Sequence, residues 1–133
     1  MLNWKERTMN NEEILPGFDG EVCDYLTIRL QKMGKNALAL EFTGSIDAYD
    51  SHYLSNSVKK VIEAGFVRLS FILSGVSRIS STGVATLSSL HRMVTEKGGD
   101  LSMVNIQPRV KTVFSLLRVD RLFRCIDSTE RDQ

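Results

Sequence analysis

Hydrophobic and polar positions change their spacing along this chain, and each change marks an element. From about Glu21, Leu26, Ile28 and Leu30 alternate with Tyr25, Thr27, Arg29 and Gln31, a period of two that predicts a strand with one buried face. Met33-Gly34-Lys35-Asn36 reads as a turn and Ala37 to Thr43 as a second strand, together an antiparallel hairpin. Gly44-Ser45-Ile46-Asp47 then breaks the strand and offers capping groups for a helix beginning between Asp47 and Ser51. Leu54, Val58, Val61 and Ile62 form the buried stripe of that helix, and Gly65 stops it. Phe66 to Leu73 is a nearly continuous apolar run, which predicts a strand buried on both faces.

A second helix is expected from Thr82 or Gly83 to Lys97, on the stripe Leu87, Leu90 and Val94, with Gly98-Gly99 ending it. Leu101 to Ile106 is another strand. Pro108 suits the first turn of a third helix carrying Val110, Val113, Phe114 and Leu117, and Leu122 to Ile126 closes with a short strand. The order β-β-α-β-α-β-α-β predicts one α/β domain over residues 21–128. Its mixed, mostly parallel sheet has about five strands and one antiparallel edge, with helices packed on it. Residues 1–20 read as a polar N-terminal arm containing the turn Pro16-Gly17-Phe18-Asp19-Gly20, and residues 129–133 as a polar tail. Trp4, Ile14, Leu15 and Phe18 are available to pin that arm to the body or to a second subunit.

Composition narrows the function more than the fold. The 133 residues are 42% hydrophobic and 25% charged, enough for a single core. A formal net charge of +1, from 17 basic and 16 acidic residues, gives no electrostatic drive toward nucleic acid or an anionic membrane. No run approaches the roughly 18 apolar residues of a membrane span. The charged start, Met1 to Arg7, is followed by no signal-peptide core, so a cytoplasmic protein is expected. Cys23 and Cys125 match no metal-ligand spacing, lie in strand-like runs and read as buried free thiols.

Catalytic constellations are scarce. His52 falls in the polar first turns of the first helix and His91 in the middle of the second, where solvated or packing roles fit. There is no Cys/His metal pair, no Gly-x-Ser-x-Gly elbow and no phosphate-binding Gly-rich loop with its lysine. Asp47 and Asp50 suit helix capping. No catalytic residue, metal or cofactor is expected.

What remains is Ser74-Gly75-Val76-Ser77-Arg78-Ile79-Ser80-Ser81-Thr82-Gly83, a hydroxyl-rich junction between a buried strand and the second helix. Unpaired N–H groups and the positive end of the helix dipole favour an anion at such a point. Ser80, Ser81 or Thr82 fits the N-cap, and the same hydroxyls fit a phosphate acceptor. The junction also lies at a strand's carboxyl end, where α/β folds place binding surfaces. With the first helix starting from a parallel neighbour, Ser45 and Asp47 would join Ser74, Ser77, Arg78, Ser80, Ser81 and Thr82 on one partner-binding edge.

These residues resemble the STAS domain family, in particular the free-standing bacterial anti-sigma factor antagonists. The likeness rests on Gly44-Ser45-Ile46-Asp47-Ala48, on Leu73-Ser74-Gly75-Val76 and on Ile79-Ser80-Ser81-Thr82-Gly83-Val84. It continues in Gly98-Gly99-Asp100-Leu101, Pro108-Arg109-Val110 and Val119-Asp120-Arg121-Leu122-Phe123, and covers roughly residues 21–128. The resemblance implies a non-enzymatic protein that binds an anti-sigma factor, itself a serine kinase, and so frees a sigma factor. It implies phosphorylation of a serine that falls on Ser81, release of the partner, and resetting by a phosphatase. The chain departs from the family at two places: Ser80 stands where an acidic residue precedes the acceptor, and Ile72 where an aspartate is common. Ser80 and Thr82 are therefore rival acceptors. The same fold also serves STAS adaptors or structural subunits of stress-sensing and lipid-transport assemblies, and a nucleotide- or lipid-responsive sensor is a third expectation. A homo-oligomer is compatible with the sequence.

Overall fold

The computed structural model describes residues 10–23 and 25–127, with the side chains of residues 21–23 left out. The alternation read from Tyr25 onward becomes β2 (Leu26–Lys32), whose Leu26, Ile28 and Leu30 are buried while Thr27, Arg29 and Gln31 face out. It pairs antiparallel with β3 (Ala37–Ile46), as the hairpin pattern requires. A short β1 (Glu21–Cys23) adds to the other edge of β2. Beyond β3 the strands run parallel: β4 (Arg68–Ile79), β5 (Asp100–Val104) and β6 (Arg124–Ile126). Among the described residues the sheet thus has six strands in chain order, one more than the pattern suggested, because the three residues of β1 are too few to show a period.

Three helices connect the parallel strands: α2 (Ala48–Glu63), α3 (Ser81–Glu96) and α4 (Pro108–Leu116). Their stripes reach one core. Leu54, Val58, Val61 and Ile62 of α2 and Leu87, Leu90 and Val94 of α3 meet Leu40, Phe42, Leu69, Phe71 and Met103 from the sheet. Phe42 and Phe71 pack edge to face, with ring centroids 4.8 Å apart. On α4, Val110 and Phe114 are buried and Val113 half-buried, whereas Leu117 lies outside the stripe at the helix end, 42% exposed.

Four local expectations are corrected. Gly44-Ser45-Ile46 does not break β3, and Ser74 to Ile79 is strand rather than loop, because the two segments pair with each other (Gly44↔Val76, Ser45↔Arg78, Ile46↔Ile79). Gly44 makes this possible with a φ of +124°, a conformation that residues with a Cβ seldom adopt. The Phe66–Leu73 run is not buried on both faces: Leu69, Phe71 and Leu73 are buried, but Ser70 and Ile72 only half. Cys125 is an exposed free thiol rather than a buried one.

In the N-terminal segment, a fourth helix, α1 (Asn11–Ile14), is closed by reciprocal bonds between Asn10 and Glu13. Ile14 and Leu15 pack on the core and Phe18 enters it, 3% exposed. Trp4 and the tail 129–133 lie outside the described residues.

Candidate functional site

The carboxyl ends of β3 and β4 are built as a pair. Six residues of β3, Glu41 to Ile46, run beside eight of β4, Ile72 to Ile79, so β4 carries two bulges. Each bulge bends and twists its strand and re-aims the side chains beyond it. Both strands then end at the same level, with Ile46 opposite Ile79, and each passes directly into a helix.

Asp47 caps α2. Its Oδ1 accepts the N–H of Asp50 at 3.1 Å, Asp50 Oδ2 accepts the N–H of Asp47 at 3.4 Å, and Ser51 Oγ donates to the Asp47 carbonyl at 2.9 Å. Asp50 is fully buried by this arrangement, while Asp47 stays exposed. The capping reading of these two carboxylates therefore holds.

Ser80 caps α3, its Oγ accepting the N–H of Gly83 at 3.0 Å. Its own N–H donates to the carbonyl of Ile46 at 2.8 Å, tying the start of α3 to the end of β3. Gly83 closes the junction from the other side. A Cβ there would lie 2.8 Å from Ile46 Cγ2, 2.9 Å from Ile46 O and 3.0 Å from Ile79 Cγ1, so the helix can seat against β3 only without one. Ser81 and Thr82 are left on the first turn of α3, exposed, with no bond from either hydroxyl to the junction.

The eight residues of the expected edge are not all together. Ser45 is half-buried in register with exposed Arg78, and the caps Asp47 and Ser80 follow from adjoining strands, so these four and Ser81 and Thr82 form one end of the sheet. Ser77 is exposed at the second bulge of β4. Ser74 belongs elsewhere: its carbonyl accepts Gln107 Nε2 at 2.6 Å, and it lines an open cleft of about 440 Å³ with Asn105, Lys111 and Cys125. Sequence reading passed over Tyr49 and Tyr53, exposed on the first turns of α2 with rings 6.4 Å apart. Their i, i+4 spacing off the Leu54 stripe was the available signal.

The histidines keep structural surroundings: His52 contacts Asn56 at 3.2 Å on the surface, and His91 packs edge to face on Phe123, with ring centroids 5.7 Å apart. Among the described residues no group of three or more His, Cys, Asp or Glu side chains could hold a metal ion. No helix among them is long and apolar enough to cross a membrane. The Cys125 thiol has its pKa raised by partial burial, with nearby Lys111 opposing the shift and Asp120 adding to it.

Comparison with known proteins places these features in a wider set. The family model described as STAS domain matches residues 28–132. The anti-sigma-B factor antagonist of Bacillus subtilis (strain 168) is 28% identical over 85 residues, which are 64% of this chain and 77% of that protein. The structure of the anti-sigma factor antagonist SpoIIAA in its unphosphorylated form superposes with a TM-score of 0.68 at 18% identity, over 80% of this chain and 91% of that one. Bacillus SpoIIAA in its phosphorylated form gives 0.62 at 13% identity, over 80% and 100%.

Proposed function

The chain belongs to the STAS domain family, and from that premise we propose that it is a non-enzymatic binding module that antagonises an anti-sigma factor. Its partner on this reading is a serine kinase in the cytoplasm, and a phosphatase completes the cycle. The antagonists similar to it in sequence and in fold support the reading.

The observation that carries it is the division of labour among three consecutive hydroxyls. Ser80 is engaged as the cap of α3, and a phosphate on its Oγ would disturb the bond from the Gly83 N–H that makes the cap. Ser81, exposed at the first position of the helix, has no such duty and is the acceptor we favour over Ser80 and Thr82. A phosphoserine brings about −1.5 to −2 charges and three strong acceptors. At a helix N-terminus the dipole and free N–H groups tolerate that charge, so the fold need not change. A partner packed over Ser45, Asp47, Arg78, Ser81 and Thr82 would instead have to desolvate a new anion. The switch acts on the complex, through surface charge.

Ser80 keeps the capping role that an aspartate would fill but carries no charge, and Ile72 removes a second acid. These two positions favour an alternative reading, a STAS adaptor or structural subunit that uses the same surface without phosphorylation. Incubation with the cognate serine kinase and ATP, followed by mass-spectrometric mapping, separates the two. Phosphate on Ser81 supports the switch, and its absence from Ser80, Ser81 and Thr82 together with retained binding supports the adaptor.

A further inference from the structure

Among the described residues, the outer edge of β2 beyond Ile28 is closed by a side chain rather than by a strand. β1 reaches only Leu26 and Thr27, and the Gly20 carbonyl then accepts the N–H of Ile28 at 2.6 Å. Past that point Asn11 takes over. Its Nδ2 donates to the Ile28 carbonyl at 2.8 Å, and its Oδ1 accepts the N–H of Leu30 at 2.8 Å. A donor and an acceptor held side by side are what the backbone of a neighbouring strand would present to this edge. Asn is the shortest side chain that carries both on separate atoms.

The carboxamide is aimed by its surroundings. Asn11 opens the one-turn helix α1, which the Asn10–Glu13 bonds close, and Phe18 anchors the following turn in the core. Isolated helices need about 12 residues or more, so α1 depends on those anchors. Lys32, exposed at the end of β2, is a second device that discourages strand addition.

We propose that Asn11 is an edge guard that prevents β2 from pairing, antiparallel about a two-fold axis, with β2 of a second copy of this chain. The occupant follows from the edge itself: an uncovered strand is a template for another strand, and a two-fold lets one edge complement itself. With the edge from Leu26 to Ile28 already taken by β1 and Gly20, such a pair would be centred on Leu30, with Arg29 and Gln31 continuing the solvent face and Leu30 the core face of one extended sheet. The proposal does not rest on the anti-sigma reading, because Ser81 leaves from β4, two strands away from this edge.

Asn11→Ala is examined by sedimentation from micromolar to millimolar concentration and by amide hydrogen exchange at Leu30. The wild-type chain is expected to protect Leu30 at every concentration without pairing through this edge. The variant is expected to exchange Leu30 about tenfold faster or more when dilute, and to form a dimer at high concentration in which Leu30 is protected again. A folded variant that stays monomeric throughout overturns the proposal. So does a dimer in which Leu30 remains fast, or a wild-type dimer whose Leu30 protection rises with concentration. If the alanine variant does not fold, Asn11→Asp, which keeps the acceptor and loses the donor, is read by the same measurements.

Discussion

Ser80 donates its backbone N–H to the carbonyl of Ile46 at 2.8 Å while its hydroxyl caps α3 through Gly83. One residue thus joins two parallel strands and starts the helix that follows them. Replacing it by alanine keeps the backbone bond and removes the cap. Ser80→Ala should lower stability by about 1 kcal/mol and Ser80→Asp by much less, whereas Ser81→Ala should stay within about 0.5 kcal/mol of wild type. Urea unfolding followed by circular dichroism distinguishes the three.

Gly83→Ala sets two effects against each other. Alanine is favoured over glycine in a helix by about 1 kcal/mol, but here its methyl meets the backbone oxygen of Ile46 at 2.9 Å. Because the obstacle is backbone, relief requires moving α3 away from β3. We expect a net loss of about 1–3 kcal/mol, read as a lower urea midpoint with an unchanged slope.

Ser81→Asp tests the charge switch apart from folding. The helix N-terminus accommodates the carboxylate, so the melting temperature should remain that of wild type. Affinity for the cognate anti-sigma factor should fall by about tenfold or more, which corresponds to about 1.4 kcal/mol. Equal affinities of Ser81→Asp and Ser81→Ala in calorimetric titrations would remove the surface-charge mechanism.

Cys125 should react reluctantly despite its exposure. Burial of part of its environment holds the thiol's pKa above the ordinary value, and the thiolate is the reactive form. Its alkylation by iodoacetamide should therefore rise at a higher pH than that of an unstructured cysteine peptide. The same shift means that the folded state keeps this contribution to stability below the unfolded thiol's pKa. The contribution is lost as pH rises through the folded value. Lys111→Ala should move the alkylation profile higher still, since Lys111 acts to lower the pKa.

Phe71→Ala should be the most damaging of these changes. Its ring is fully buried and packs edge to face against Phe42 between the helices and the sheet. A loss of about 3–5 kcal/mol is expected, measured by chemical denaturation.

The helices were legible because their information is local. The spacing of Leu54, Val58, Val61 and Ile62 defines a face whatever lies opposite, and Gly65 and Pro108 punctuate the chain by their own conformational limits. The ends of β3 and β4 were not. Gly44-Ser45 and Ser74-Gly75 look like breakers, and only the pairing of segments some thirty residues apart makes them strand. Asn11 left no signal either, since nothing in the sequence marks a carboxamide that replaces a neighbouring backbone. At the candidate site the hydroxyl cluster itself was visible, but any of its three residues is an acceptable cap.

That last ambiguity is settled upstream, by register. Ile79 lies opposite Ile46, and the next residue, its N–H bonded to the Ile46 carbonyl, is thereby placed as the cap. Ser80, Ser81 and Thr82 have similar chemistry, so their individual preferences do not determine which turns inward. Eight residues of β4 match six of β3, and the two bulges absorb the surplus before it reaches the helix. Loss of the bulged Ser77 would be taken up in the same way, leaving Ile79 opposite Ile46 and Ser80 as the cap. The strand thus buffers changes in its own length, and which hydroxyls stay accessible is stored in one pairing.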